Sequence, residues 1–238
     1  MRQPHDEEGD LMNADGARHR ISLERWAGLG GVAYVVLFIV GLILALGGQP
    51  DSDSAPGVIS AYYADSGHRD RINVGWILVV LAVFFFLWFL SSLRQTLRRL
   101  DGDGFLTMLA TIGGAIYAAL ALAAISIDVA IRTMSDDTFQ HTVDPGLIHA
   151  AGDLGYVLHS SGAIGAGSMM IAASLAALRA QAVPGWAGWA GVVAGVLALG
   201  SIFFFPQFLI AVWLLVVGVL LFRATPGPAL PDAQSAPR

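Results

Sequence analysis

The chain has no cysteine, and none of its 13 basic residues is a lysine. The first absence rules out disulfides, thiolate metal sites, redox dithiols and cysteine nucleophiles. The second rules out Schiff-base chemistry, which needs a lysine amine. Charge of either sign is scarce: only 13% of the 238 residues are charged, and the net charge is -5. Binding to phosphate backbones requires a basic face, so nucleic acid is excluded as a partner.

What fills the chain is apolar. Hydrophobic residues make up 55% of it and the mean hydropathy is +0.65, too high for a soluble domain of this size. The apolar residues come in runs close to the roughly 20 residues that cross a hydrocarbon core of about 30 Å. The expected fold is therefore all-α, a polytopic membrane bundle of about six helices over residues 22–222, flanked by disordered tails at 1–21 and 223–238.

The first run, 26–47, begins behind Ser22 as a helix N-cap and is too long for the core of a signal peptide. Span two is expected at 74–93, stopping at Arg94, Arg98 and Arg99, and span three at 106–131. Span four, 158–178, is lined with glycine and serine. The apolar stretch after Arg179 is too long for one crossing. It divides into 185–204 and 206–222 at Pro206, with Gly200 and Ser201 as the other candidate break.

Arginine placement sets the orientation. With six spans and a cytoplasmic N-terminus, Arg2, Arg18, Arg20 and Arg25 fall inside together with Arg94, Arg98, Arg99, Arg179, Arg223 and Arg238. Only Arg69, Arg71 and Arg132 fall outside. That asymmetry follows the positive-inside rule and puts both termini in the cytoplasm. Between spans one and two, Gly57 to Asp65 reads as a short interfacial helix packed by Val58, Ile59, Tyr62 and Tyr63. Its opening, Pro56-Gly57-Val58-Ile59, is matched in the next outer loop by Pro145-Gly146-Leu147-Ile148, which hints at a duplicated hairpin.

Asp128 is the one carboxylate within a membrane-length run. On a helix it shares a stripe with Ala124, Ala121, Tyr117, Gly114 and Ala110, a small-sided face suited to close helix packing. An acid there marks a proton or cation path, with His159, Tyr117, Ser160 and Ser161 as its companions. Arg132 stands at i+4, so an ordinary structural ion pair is the competing reading. On the outer side His141, Asp144, His149 and Asp153 form a weak metal-ligand set without a recognised pattern. The glycines Gly162, Gly165, Gly185, Gly188, Gly191 and Gly195 suit helix packing or self-association.

Enzyme signatures are missing. Spans five and six hold no histidine for a rhomboid-type serine protease, and only His159 comes near a span where a bis-histidine haem needs pairs. No cofactor is expected. The arrangement of Pro50, the Pro56-Gly57 loop, Trp76, the Arg94/Arg98/Arg99 stop, Asp128 and the final hairpin at Pro206 resembles small six-helix bacterial membrane proteins assigned to domains of unknown function. The resemblance runs from Arg25 to Phe222 and implies a bacterial plasma membrane, with no activity or functional residue to carry over. The chain is accordingly expected to be a structural, stress-related or interaction component, with lipid and other membrane proteins as partners. A small transporter or proton-coupled permease with a polar site near Asp128 and His159, and an outer-face metal-dependent membrane enzyme, are the alternatives.

Overall fold

The computed structural model describes residues 26–51, 53–137, 139–203 and 206–223. The expected tails, apart from Arg223, and the Ser22 cap lie outside the described residues. The described residues form seven α-helices and no strand: α1 (Gly30–Leu46), α2 (Pro56–Ala64), α3 (Ser66–Asp101), α4 (Phe105–Arg132), α5 (Pro145–Arg179), α6 (Gly185–Ala198) and α7 (Gln207–Arg223), with a 3-10 turn at Ser201–Phe203 before α7.

Four helices are long and apolar enough to cross a membrane: Trp26–Leu46, Ser66–Asp101, Phe105–Arg132 and Pro145–Arg179. The last two are shorter, at 14 and 17 residues. At 1.5 Å per residue they reach only about 21 and 26 Å. Span five was expected to continue to residue 204, but α6 ends at Ala198. The Ser201 hydroxyl turns back to the Ala198 carbonyl at 2.6 Å, and Pro206 brings no N–H to continue a ladder. Both candidate breaks therefore belong to one interruption.

Two helices begin well before their apolar runs. Asp65 caps α3 by accepting from the His68 N–H at 3.0 Å, so the helix starts eight residues ahead of Val74. Asp144 caps α5 by accepting from the Gly146 and Leu147 N–H groups at 2.7 and 3.3 Å, with Pro145 in the first turn. Each cap satisfies donors that a helix start otherwise leaves bare. Hydropathy marks where a helix is apolar, whereas the caps decide where it starts.

Neighbouring helices run antiparallel, and their backbones meet at glycines. A Cβ added at Gly41 would lie 2.7 Å from the Gly75 carbonyl oxygen, one at Gly113 2.5 Å from that of Gly165, and one at Gly167 2.7 Å from that of Gly195. These contacts join α1 to α3, α4 to α5 and α5 to α6, and no other residue type fits there. α7 closes the bundle against α1, with Gly28 beside Leu221 and Gly31 beside Leu214. Trp26 and Phe222, at the two extremes of the described helices, meet with ring centroids 5.5 Å apart.

The core is aromatic and thioether-rich: Phe86, Phe89, Met169 and Met170 are wholly buried. The outside is equally apolar, with Ile43 and Ile77 each 65% exposed and Trp186 77% exposed. Apolar side chains spread over every long helix are what lipid, not water, accepts as a surface.

Candidate functional site

The small-sided stripe of α4 faces inward along its whole length: Ala110, Gly114, Tyr117, Ala121, Ala124 and Asp128 are all buried. At its last turn Asp128 is 5% and Arg132 7% exposed. Arg132 Nε donates to Asp128 Oδ2 at 2.7 Å, the i, i+4 geometry of a helical ion pair.

The rest of the guanidinium reaches beyond its own helix. Nη1 donates to Gln49 Oε1 at 2.8 Å and to the Tyr63 hydroxyl, and the Tyr63 ring lies 5.6 Å beneath the cation. Gln49 in turn is held by its own Nε2 donating to the Ala45 carbonyl at 2.8 Å. One arginine thus ties the ends of α1, α2 and α4 together. Burial pushes the Tyr63 phenol above its ordinary 10.0, while the Arg132 cation pulls the other way. Arg69 and Ser135 reinforce the junction: Ser135 Oγ donates to the Tyr63 carbonyl at 3.0 Å and accepts from Arg69 Nη1 at 3.2 Å.

A second polar node lies deeper. Tyr34 and Tyr117 share a hydroxyl–hydroxyl bond of 2.5 Å, and the Phe86 ring packs against each at 5.4 Å. His159 belongs to this node, stacked on Phe38 at 5.6 Å and tilted against Tyr117 at 5.8 Å. Tyr117 is eleven residues before Asp128, about 16 Å along the helix. No hydrogen bond joins His159 to Asp128 among the described residues. The expected acid–histidine couple is therefore two separate nodes, one of charge and one of rings.

Ser160 is buried and accepts a long, 3.5 Å bond from Gln207 Nε2. Ser161 is exposed on the outside of α5, since one residue turns a helix by about 100°. It does not join the polar core with which the sequence grouped it.

The four outer-loop metal candidates also separate. Asp144 is engaged in capping α5. His141 is exposed and bonded through its backbone N–H to the Met134 carbonyl. His149 and Asp153 lie one turn apart on α5, and among the described residues no group of three or more such side chains is placed to hold a metal ion.

His149 and Asp153 instead share a cleft of about 360 Å³ with Arg132, Tyr63 and Gln49, floored by Ile59, Ile148 and Pro50. Ile59 and Ile148 are the matching positions of the two Pro-Gly segments. Each is buried, and each stands one turn into a helix that opens on proline.

Gln49, Tyr63 and Tyr34 were not singled out from the sequence as site residues. Their partners are 83, 69 and 83 residues away, and no local pattern connects them. The one available signal was the aromatic pair Tyr62-Tyr63 in an otherwise polar loop. No family model matches the chain, and no curated protein or solved structure is similar enough to count as a match.

Proposed function

We propose that the chain is an integral component of a bacterial plasma membrane, crossing it six times with both termini in the cytoplasm, and that it acts by holding partners or lipids rather than by catalysis or transport. The four long helices and two shorter apolar ones alternate in direction, and the short pair is accommodated by local thinning of the bilayer. The contact between Trp26 and Phe222 supports an even number of crossings. The ends of α3, α5 and α7, which carry Arg94, Arg98, Arg99, Arg179 and Arg223, gather at that same end, as the positive-inside rule asks.

The observation that carries the non-transport reading is the Asp128–Arg132 pair. A working intramembrane acid needs a hydrated path and freedom to exchange its proton, whereas Asp128 is buried against a cation that is itself held by Gln49 and Tyr63. The tyrosine hydroxyls of the deeper node are likewise bonded to each other. The test is proton and solute flux in proteoliposomes. Flux equal to that of empty vesicles supports the proposal; dissipation of a pH gradient that disappears on Asp128→Asn replaces it with a proton-coupled permease.

A further inference from the structure

Arg132 has more donors than the bundle uses. Nε is engaged by Asp128, and Nη1 by Gln49 and Tyr63, but no acceptor among the described residues bonds to Nη2. The side chain is nonetheless more than nine-tenths buried, and its Nη2 lies beside Gly152, where an added Cβ would be 3.4 Å from it. Arg132 and Gly152 both line the cleft. A guanidinium nitrogen whose two N–H groups meet no acceptor among the described residues, on a side chain that lines a cavity, is a site for an oxyanion.

The charges around it decide what kind of oxyanion. The charged and titratable side chains at the cleft are Arg132, His149, Asp153 and the neutral phenol of Tyr63, with Asp128 behind Arg132. The arginine's charge is already balanced by Asp128, and the Asp153 carboxylate carries no hydrogen bond or ion pair among the described residues. A simple anion would meet an uncompensated carboxylate. A ligand that brings its own cation would satisfy both walls.

We propose that this cleft binds a small zwitterion, whose carboxylate or phosphate accepts from Arg132 Nη2 and whose ammonium group lies against Asp153. The apolar floor of Ile59 and Ile148 takes the short methylene link between them. About 360 Å³ is at the small end of ligand pockets, suited to an amino acid or an aminoethyl phosphate rather than a larger solute. Because the cleft is at the ends of α1 and α4, the same chemistry is available from a free solute or from the headgroup of an aminophospholipid. The assignment depends on the membrane reading only for that second source, and a positive flux result would leave it standing.

The experiment uses the full chain in nanodiscs of phosphatidylglycerol, titrated calorimetrically with O-phosphoethanolamine and β-alanine, and with methyl phosphate and ethylamine as single-charge controls. At least one zwitterion is expected to bind saturably and at least about tenfold more tightly than either control, the size of one charge-assisted hydrogen bond. Asp153→Asn, on the exposed wall, and Gly152→Leu, which fills the approach to Nη2, are each expected to weaken it by a similar factor while the ligand-free melting midpoint stays put. In a second arm, nanodiscs containing phosphatidylethanolamine are titrated in the same way. Loss of soluble-ligand binding there identifies the lipid as occupant, and unchanged binding identifies a free solute. Absence of saturable binding in phosphatidylglycerol discs, equal binding of methyl phosphate, or wild-type affinity in both variants overturns the assignment.

Discussion

Arg132 stands one helical turn beyond Asp128, and the 2.7 Å bond between them is made with both side chains more than nine-tenths buried. Such a pair is costly to break from one side, because the survivor stays charged in a low-dielectric setting. Replacing Arg132 with Gln is expected to lower stability by about 3–5 kcal/mol. Adding Asp128→Asn is expected to recover much of that, since the orphaned charge is gone. Thermal unfolding of the two variants in detergent, compared with wild type, reads the difference; equal stability of single and double variants would mean that the pair is not coupled.

Tyr63 links the same arginine to α2. Tyr63→Phe removes one acceptor from Arg132 Nη1 and is expected to cost about 1–2 kcal/mol. Because burial raises its folded-state value above 10.0, the neutral phenol is favoured more in the folded state than in the unfolded one. Its contribution is therefore fully present below about pH 10 and lost as pH climbs through the raised value. Melting curves from pH 8 to 11 should show wild type falling faster than Tyr63→Phe above pH 10. Parallel curves would show that Tyr63 does not titrate differently on folding.

The glycine contacts make a graded test of packing. Gly113→Val would drive a side chain into the Gly165 carbonyl and is expected to destabilise by about 1–3 kcal/mol or more, as overpacking does. Gly57, by contrast, has nothing within 4 Å and lies in a helix, so Gly57→Ala is expected to be neutral or to add up to about 1 kcal/mol. Unfolding in graded dodecyl sulfate would rank them.

In the deeper node, either Tyr34→Phe or Tyr117→Phe leaves one buried hydroxyl alone, at a cost of about 1–3 kcal/mol. The double replacement is expected to cost less than the two singles together, because no hydroxyl then lacks a partner. A double-mutant cycle on unfolding midpoints checks this, and strict additivity would contradict it.

Much of the architecture was legible in the sequence because a bilayer imposes a length and a polarity that single runs of residues must meet. The inward face of α4 followed from helical periodicity alone, and the Asp128–Arg132 spacing from counting four residues. Helix starts were harder: Asp65 and Asp144 set them by local hydrogen bonds inside polar segments that hydropathy treats as loop. The site was only half visible. Asp128, Arg132, His149 and Asp153 stood out as charges in sparse surroundings, but grouping them required knowing that α1, α2 and α4 end where α5 begins. His159 illustrates the opposite case: it opens the apolar run of span four, but α5 begins thirteen residues earlier than that run and places the histidine deeper, beside Tyr117.

Since the chain has no cysteine, thiols introduced one at a time report their side of the membrane without background. The decisive measurement is labelling of Asp10→Cys, Ser54→Cys, Asp137→Cys, Ala182→Cys and Ser235→Cys by an impermeant maleimide, in intact cells and after lysis. The account predicts that Ser54→Cys and Asp137→Cys react in intact cells, and that the other three react only once the membrane is opened. Labelling of positions 10 and 235 from opposite faces, or recovery of the protein in the soluble fraction, would contradict it.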